Sequence, residues 1–400
     1  MSVALAPVHE GGVVEAVLAA RAAKEPLLVQ GRGTKAGMLR PVQAARGLST
    51  RNLTEISLYA PQELIISAGA GVSIPDLEAK LAEGGQGLIA EPPDLSALLG
   101  TEAGVQTLGG VVATNLSGPR RVAWGAMRDH VMGVRAVNGA GEVIRSGGRV
   151  LKNVTGLDLC KLLTGSYGTL AVITEVTLKV LPRAELTGSL LLPGLDAIRG
   201  VAALSSALGS PFGVSGAAWL PADAAERVPA LAGRGAVALV RIEDFAKSVE
   251  YRLGRLAEGL APFGAAALLN DEASRAAWRA IRDAVPLRAE PGDAVWRVSV
   301  RPSSGPAALA TLESAGARGF LDWGGGLVWI AGPPALHERV TAAALAGRGT
   351  WTVLRAPEPM RAAVDVVPPE APALARITRR VKTAMDPAGI LNPGRLYAGV

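Results

Sequence analysis

Glycine-rich loops with neighbouring cations are the features of this chain best suited to bind a phosphate. The stretch "PLLVQGRGTKAG" (26–37) has an apolar run that predicts a short strand, followed by a loop that contains Gly31, Arg32, Gly33 and Lys35. Successive backbone N–H groups in such a loop can form a concave anion site, and the two cations add positive charge. The stretch therefore predicts a phosphate-binding loop.

The same loop also fits the dinucleotide-binding pattern G-x-G-x-x-G/A, which ends here at Ala36. Glu55 lies near the distance at which that pattern places a ribose-binding acid. A dinucleotide-binding unit requires an amphipathic helix directly after the loop, whereas Pro41 and Gly47 occupy positions of the helix interior. An NAD site is therefore the less favoured interpretation.

Two further segments contain small residues that let a backbone approach a ligand closely. In "TLGGVVATNLSGPRRVAWG" (107–125) these residues are Gly109, Gly110, Ala113, Thr114, Ser117 and Gly118. A helix beginning at Gly110 would add its dipole to an anion site, although a tight strand-to-helix turn explains this segment more simply when it is taken alone. In "LTGSYGTLAVITE" (163–175), Gly165 and Gly168 precede a strand, as expected where a chain crosses a flat ring. Three such segments together favour ligand binding over plain structural turns.

Hydrophobic periodicity predicts the elements that carry these loops. They are a helix at 11–23, strands at 26–30, 63–71 and 171–182, a helix capped by Ser73, and a strand–turn–strand unit at 130–148 with its turn at Asn138-Gly139. The strand 171–182 is predicted to be half-buried, with Val172, Val176, Leu178 and Val180 on one face and Glu175, Thr177 and Lys179 on the other.

Three blocks are predicted along the chain. Residues 1–182 form a cofactor-binding domain of two α/β lobes, 183–350 form an α+β cap domain, and 351–400 form a C-terminal segment that returns to the first domain. The cap strands are "LTGSLLLP", "GVSGAAWLP", "GAVALVRIED", "DAVWRVSVRP" and "GLVWIAG", with helices at 246–260 and 272–284. A last helix is predicted near 371–385, before the turn-rich "DPAGILNPGRL".

Composition excludes several classes of protein. The chain has 41 basic and 35 acidic residues, but no basic run interleaved with aromatic residues, so we expect no nucleic-acid partner. One cysteine, Cys160, rules out an internal disulfide or a cysteine-ligated cluster within this chain and suits a reducing, cytoplasmic compartment. We expect neither a signal peptide nor a membrane span, and peripheral attachment to the inner face of the cell membrane stays open.

The three glycine segments, the run "WGAMRDHVMGVRAVNGAGEVIRSGG", the run "KNVTGLDLCKLLTGSYGTLAVITEVTLKVLP" and the terminal "DPAGILNPGRL" together resemble a known family. They resemble the FAD-binding domain of the vanillyl-alcohol oxidase and p-cresol methylhydroxylase superfamily. Within that superfamily the chain is similar to the shorter FAD-binding subunit of bacterial glycolate oxidase. The resemblance implies an α+β fold, with a two-part FAD-binding domain of p-cresol methylhydroxylase type and an α+β cap.

The resemblance also assigns site residues. Its first pyrophosphate loop corresponds to Gly31, Arg32, Gly33, Thr34 and Lys35, and its second to Leu108, Gly109, Gly110, Asn115, Ser117 and Gly118, followed by Gly125. Gly168 and Ile173 are expected along the flavin. Members that bond covalently to FAD use a histidine in the first loop or a cysteine further on. Here the first loop contains no histidine and Cys160 lies in an apolar helical pattern, so we expect non-covalent FAD and a buried structural thiol.

The sequence does not identify a catalytic residue. Larger 2-hydroxy-acid dehydrogenases of this superfamily bind a divalent metal through cap histidines and a carboxylate. This chain has only His9, His130 and His337, which do not resemble one site, so no metal is predicted. The weak candidates are Arg297, which could pair with a carboxylate but is more simply a structural arginine, and Trp323, which could cover a flavin or pack in the core.

Two functions are therefore compared. In the favoured one, the chain is the FAD-containing subunit of a complex that oxidises glycolate to glyoxylate, together with a larger FAD-containing subunit and an iron–sulfur subunit. The alternative is a self-sufficient FAD-dependent dehydrogenase for a small D-2-hydroxy acid such as D-lactate. The lack of a histidine and metal constellation favours the first, and a docking surface is then expected in the middle domain or the C-terminal segment.

Overall fold

The computed structural model describes residues 4–148 and 157–399, which form two compact units. The first unit comprises Met1–Leu116, Gly125–Arg183 and Arg361–Val400, and the second comprises Ser117–Trp124 and Ala184–Met360. The chain thus alternates between the units, because the short segment Ser117–Trp124 belongs to the second unit although its neighbours in sequence belong to the first.

The first part of the chain alternates short helices and strands. Its elements are α1 Glu10–Ala23, β1 Leu27–Gln30, β2 Arg46–Ser49, β3 Ile56–Ala60, β4 Ile65–Gly69, α2 Ile74–Glu83, β5 Gln86–Leu88, α3 Ser96–Leu99, α4 Leu108–Thr114, α5 Arg121–Trp124, α6 Met127–His130, β6 Val131–Asn138, β7 Val143–Gly147, α7 Leu159–Leu163 and β8 Ala171–Pro182. The predicted helices, strands and hairpin are confirmed here, including the cap of α2, where the Ser73 side chain accepts a hydrogen bond from Asp76 N–H.

Strand β8 is the centre of the first unit. An antiparallel sheet has the order β3-β4-β8-β6-β7, and β5 pairs with the far end of β8, whereas β1 and β2 form a separate parallel pair. Residues of β8 pack into two hydrophobic clusters, so most of the strand is buried, whereas its sequence pattern predicts a half-buried strand.

A β-bulge in β8 changes which residues share a face. The partners of β8 on β6 shift between Ile173 and Glu175, so that Thr174 is an extra residue in β8. Val172 consequently packs into the cluster around α1, whereas Ile173 and Val176 both pack into the main core of the unit. The prediction that Val172 and Val176 lie on the same face is wrong, because one extra residue reverses the alternation.

The elements that follow β8 lie in the second unit, except for the end of the penultimate helix and the whole of the last helix, which lie in the first. They are β9 Leu186–Pro193, α8 Ala197–Leu208, β10 Gly216–Leu220, α9 Ala222–Ala225, β11 Val237–Asp244, α10 Ala246–Leu260, β12 Ala267–Leu269, α11 Asp271–Arg282, β13 Ala294–Ser299, α12 Gly305–Glu313, β14 Arg318–Asp322, β15 Leu327–Gly332, α13 His337–Ala346, β16 Thr350–Arg355, α14 Glu358–Ala363 and α15 Pro372–Met385. Short 3-10 turns lie at Pro61–Glu63, Ala261–Phe263, Pro302–Ser304, Trp323–Gly325 and Pro334–Leu336.

The second unit is built on one eight-stranded antiparallel sheet with the order β12-β9-β11-β10-β14-β15-β13-β16. All five strands predicted from its sequence are present, as are the helices α10 and α11. The strands β12, β14 and β16 were not predicted, because β12 has three residues and β14 begins Arg-Gly, and because 351–355 had been assigned to the C-terminal segment. In the described ranges, no helix is long and apolar enough to cross a membrane.

Candidate cofactor site

A cavity in the first unit is lined by all three glycine segments and by the C-terminal segment. Residues 28–36 and Thr50 form one wall. The other lining residues are Thr107, Gly109, Gly110, Ala113 and Thr114 from the second segment, Tyr167, Gly168, Ala171 and Ile173 from the third, and Asn392 and Arg395 near the C-terminus. The three segments that sequence reasoning selected therefore meet at one site.

The first loop presents unused backbone donors to this cavity. The N–H groups of residues 32–35 donate to no acceptor in the part of the chain that the structure describes. Gly33 has a φ of +75°, a left-handed conformation that favours glycine. A Cβ added at Gly31 would lie 2.1 Å from Thr107 Oγ1, so the loop and the second segment approach each other too closely for any side chain. Such a run of free N–H groups forms an anion site.

Lys35 adds a cation whose charge depends on pH. Its Nζ donates a hydrogen bond of 3.0 Å to Gln106 Oε1. Burial lowers the pKa of Lys35 to about 8, although the nearby carboxylate of Asp94 acts in the opposite direction. The Lys35 ammonium therefore loses its positive charge as the pH rises through about 8.

In the second segment the glycines have two different roles. Helix α4 begins at Leu108 rather than at Gly110, because Thr107 caps it: Thr107 Oγ1 accepts a hydrogen bond from Gly110 N–H. A Cβ at Gly109 would lie 2.7 Å from Ala70 Cβ, so Gly109 is required for packing against the sheet. At Gly110 a Cβ would meet only Thr107 Oγ1, at 3.2 Å, so this glycine leaves space toward the cavity.

The third segment supplies a largely apolar part of the cavity lining, formed by Tyr167, Gly168, Ala171 and Ile173. Gly168 has a φ of +71°, and a Cβ there would lie 2.9 Å from Asn392 Nδ2. Ile173 lies beside the bulge of β8, and Ala171 precedes it in the same strand. Gly165, the other glycine of the segment, has a φ of +88° but is not part of the cavity lining among the described residues.

Sequence reasoning missed the contribution of the C-terminal residues Asn392 and Arg395. Asn392 Oδ1 accepts a hydrogen bond of 2.7 Å from Val29 N–H, and its Nδ2 donates to the carbonyls of Val29 and Tyr167. The Arg395 guanidinium donates to the carbonyls of Lys35, Ala36 and Arg40. Burial and the charge of Arg361 lower the pKa of Arg395 to about 10. The motif "NPGR" could have indicated these contacts only if its place in the fold had been known.

Five residues that the resemblance assigned do not line this cavity among the residues described. Leu108 is fully buried in the core, and Asn115 has a left-handed φ at the end of α4 and accepts a hydrogen bond from Arg128 N–H. Gly125 has a φ of +85° and lies next to the Asp129 carboxylate. Ser117 and Gly118 belong to the second unit.

Arg297 and Trp323 lie together in the second unit. The guanidinium carbon of Arg297 is 5.1 Å from the Trp323 ring centroid and 5.2 Å from that of Trp329, its cross-strand neighbour. Arg121 stacks on Trp323 at 4.6 Å, and Trp323 Nε1 donates to Gly118 O. These contacts give Arg297 and Trp323 a structural explanation, since cation–π stacking accounts for their placement.

The three histidines lie in different parts of the chain. His9 caps α1 by accepting a hydrogen bond from Gly12 N–H, so it is an ordered helix cap rather than part of a mobile terminus. His130 ends α6 and is buried, and His337 Nδ1 accepts from Trp296 Nε1 at 3.3 Å. No group of three potential metal ligands is found within the described ranges.

Cys160 is a buried structural thiol, as predicted. It is 2% exposed and its Sγ donates to Ser146 O at 3.3 Å. Burial raises the pKa of this thiol, so it stays protonated and unreactive at neutral pH. It is not among the residues that line the cavity.

These residues fit an FAD molecule by their donor set and by the space they leave. The first loop offers free N–H groups and Lys35 for a diphosphate, and the third segment offers an apolar wall of small residues for a ring. Thr107 and Asn392 pack directly against Gly31 and Gly168, so the lining segments come this close together only because neither glycine carries a Cβ. A bound flavin would supply a two-electron acceptor, whereas the chain's own residues hold and orient it.

Comparison with known proteins agrees with this site. Residues 1–147 match the family model described as "FAD binding domain". The chain is 34% identical to the glycolate oxidase subunit GlcE of Escherichia coli over 98% of both chains. It is 36% identical to a D-lactate dehydrogenase of Archaeoglobus fulgidus, but over only 40% of this chain and 34% of that one.

A solved structure supports the fold. p-Cresol methylhydroxylase with substrate bound superposes with a TM-score of 0.71 at 14% identity, over 99% of this chain and 88% of that one. The predicted fold class is thereby confirmed. The chain therefore belongs to the family of FAD-binding oxidoreductases that contains the glycolate oxidase subunit GlcE.

Proposed function

We propose that this chain is the FAD-binding subunit of a complex that oxidises glycolate to glyoxylate. The observation that carries the proposal is the similarity to a glycolate oxidase subunit along the whole chain, not only along the FAD domain. The similarity to a D-lactate dehydrogenase covers only 40% of this chain and 34% of that one, so it supports a common cofactor more than a common substrate. The first unit is the FAD-binding domain in this proposal, and the second unit is the cap.

The FAD diphosphate is assigned to the loop Gly31–Lys35. Gly109 and Gly110 line the cavity beside it and leave space for the ligand, since their N–H groups already donate to Ala70 O and Thr107 Oγ1. The unused N–H groups of residues 32–35 and the ammonium of Lys35 supply the charge complementarity. The ring is assigned to the wall formed by Gly168 and Ile173. Leu108, Asn115 and Gly125 act indirectly in this assignment, by fixing α4 and the turns that follow it.

We infer that the FAD is bound without a covalent link. The only cysteine is engaged with Ser146 O and lies outside the cavity lining, and the first loop reads Gly33-Thr34-Lys35. Acid precipitation of the purified protein should therefore release yellow flavin into the supernatant. A washed pellet that stays yellow would contradict this assignment.

We also infer that oxidation of the hydroxy acid depends on partner polypeptides. Removing a hydride from an α-carbon requires a base for the hydroxyl proton and a cation that fixes the carboxylate. Arg297 supplies at most the cation, and the histidines do not come together with it as a base. We therefore assign the chain to a complex with a larger flavin-containing subunit and an iron–sulfur subunit, at the cytoplasmic face of the membrane or free in the cytoplasm.

Turnover with an artificial dye as acceptor tests this function. The FAD-loaded chain should reduce the dye with glycolate or D-lactate poorly when alone, and at least about a hundredfold faster after the partner subunits are added. The expected preference is for glycolate. Fast turnover by the isolated chain with D-lactate would instead establish the self-sufficient D-2-hydroxy-acid dehydrogenase.

A further inference from the structure

The first two turns of helix α15 are mostly exposed. Of its 14 residues only Lys382 is buried. Leu374 is 51% exposed and Ile377 is 56% exposed, although both are large aliphatic side chains. Exposed single apolar residues are common, but two neighbours on one helix face are a feature of interaction surfaces.

The helix is held at its C-terminal end. Lys382 Nζ donates to Thr169 O, Leu391 O and the Asp386 carboxylate, at 2.7 to 2.9 Å. Met385 packs against the main core, and its carbonyl accepts a hydrogen bond of 2.8 Å from Gly139 N–H. The exposed turns therefore project from a fixed base, so that a partner would meet a preformed helix and would not have to order it.

The chemistry of the exposed surface is apolar and basic. Leu374, Ile377 and the half-buried Val381 follow the spacing i, i+3 and i+7, which is typical of helices that insert into a groove. The other charged residues on the helix are Arg376, Arg379 and Arg380, and no residue from 372 to 385 is acidic.

We propose that α15 is a docking helix, which places Leu374 and Ile377 in an apolar groove edged by carboxylates on another subunit of the oxidase. This inference rests on the proposed function, because it takes its partner from that complex. The base of the helix is continuous with the cofactor site: the two carbonyls bound by Lys382 belong to Thr169 and Leu391, which adjoin Gly168 and Asn392 in the cavity lining. A subunit docked here would lie next to the segment that supports the flavin.

A protein partner fits this surface better than a lipid surface. Helices that bind membranes use a broad apolar face, usually with aromatic residues, whereas α15 has two exposed large aliphatic side chains and no aromatic residue. Two such side chains are enough to anchor a helix in a protein groove, since a few central residues dominate most interfaces.

The test uses the full-length, FAD-loaded chain and the purified flavin and iron–sulfur subunits of the complex. The variant Leu374→Gln/Ile377→Gln removes the apolar anchors and keeps the helix propensity. The matched control is Leu18→Gln in α1. Leu18 is also an exposed leucine of the first unit, with 44% of its surface accessible. We expect the double variant to weaken binding of the partner subunits at least about tenfold, with unchanged FAD content, and the control to stay within about twofold.

A second variant tests how much the arginine charges of α15 contribute to binding of the partner subunits. Arg376→Gln/Arg379→Gln/Arg380→Gln should weaken binding mainly at low ionic strength, because surface charges are screened by salt. If the wild-type chain assembles and the apolar double variant assembles equally well, the docking helix is refuted while the complex stands. If the wild-type chain does not assemble, both proposals fail. Binding to anionic phospholipid vesicles that is lost in the Leu374→Gln/Ile377→Gln variant would replace the protein partner with a membrane.

Discussion

At the scale of single residues, glycines that look alike in sequence serve different purposes. Gly31 and Gly109 are required by packing, because a Cβ would overlap Thr107 in one case and Ala70 in the other. Gly33 and Gly168 are required by a left-handed φ. Gly110 meets neither condition, since it lies inside α4 with helical geometry. The remaining explanation for a glycine at position 110 is the space that it leaves in the cavity.

The variant Gly110→Val tests that space. We expect the fold to survive, because valine is no worse than glycine inside a helix, but FAD affinity to fall at least about tenfold, because the side chain fills the cavity. The matched control is Gly254→Val in α10, a helical glycine whose Cβ would meet no atom within 4 Å. Visible flavin absorbance after dialysis measures the result. Normal flavin content in Gly110→Val would mean that the segment is only a structural turn.

The charge of Lys35 predicts a pH dependence of FAD binding. In the free protein its pKa is about 8, and a diphosphate alongside would raise that pKa. FAD binding then takes up a proton above about pH 8, so affinity should fall with rising pH, by at most about tenfold per pH unit. Titrations from about pH 7 to about pH 10 measure this. Lys35→Arg keeps its charge over the whole range, and an equally steep loss in that variant would refute the role of Lys35.

At the scale of elements, the C-terminal segment after α15 closes the cofactor site. Asn392 connects β1 with Tyr167 in the third glycine segment, and Arg395 holds three carbonyls of the first loop. Asp386 fixes the turn between α15 and these residues, since its carboxylate accepts hydrogen bonds from the N–H groups of Ile390 and Leu391. Two glycine segments far apart in sequence are thus braced by a third element.

Loss of the Asn392 hydrogen bonds should measurably lower the stability of the protein. Asn392→Ala deletes three hydrogen bonds and leaves alanine at a left-handed φ of +42°, so we expect a loss of about 2–4 kcal/mol in the free energy of unfolding and weaker FAD retention. Asn52→Ala is the control, because the exposed Asn52 side chain makes a single bond to Ala6 O. Urea denaturation of both variants gives the comparison. Equal free energies of unfolding for the two variants would mean that the Asn392 hydrogen bonds do not contribute to stability.

At the scale of the whole molecule, the chain contributes Ser117–Trp124 to the second unit before it builds the rest of that unit. Arg120 in this segment pairs with the Glu243 carboxylate at 2.5 Å, and Arg241 pairs with the same carboxylate at 3.1 Å. Burial by itself would raise the pKa of Glu243, but Arg241 and Arg120 outweigh it and lower that pKa to about 2. Glu243 is therefore charged in the folded protein at all ordinary pH values.

Glu243→Gln should destabilise the second unit by about 3–5 kcal/mol near neutral pH, because it leaves buried arginine charge uncompensated. The folded pKa is below the unfolded value of 4.5, so the carboxylate's contribution is present above about pH 4.5 and is lost toward about pH 2. The difference between wild type and variant should shrink over that range in thermal denaturation. Glu258→Gln, in an exposed pair with Arg255, is the control and should change stability by under about 1 kcal/mol. A penalty that does not change with pH would contradict this account.

The sequence by itself determined the local features of this protein. The glycine loops, the Ser73 cap of α2, the hairpin β6–β7 and most strands follow from short-range rules of backbone conformation and hydrophobic spacing. The absence of a helix directly after the first loop was likewise set by Pro41 and Gly47. These features depend on neighbours within a few residues, which a sequence displays directly.

Only the tertiary structure decided how distant segments meet. The bulge at Thr174 depends on the partners of β8 in the sheet, and the strands β12, β14 and β16 form because neighbouring strands accept their hydrogen bonds. Asn392 and Arg395 reach the first loop across more than 350 residues of chain, and Arg120 reaches Glu243 across 123. Such contacts arise from packing and desolvation of the folded chain, which no local pattern of residues encodes.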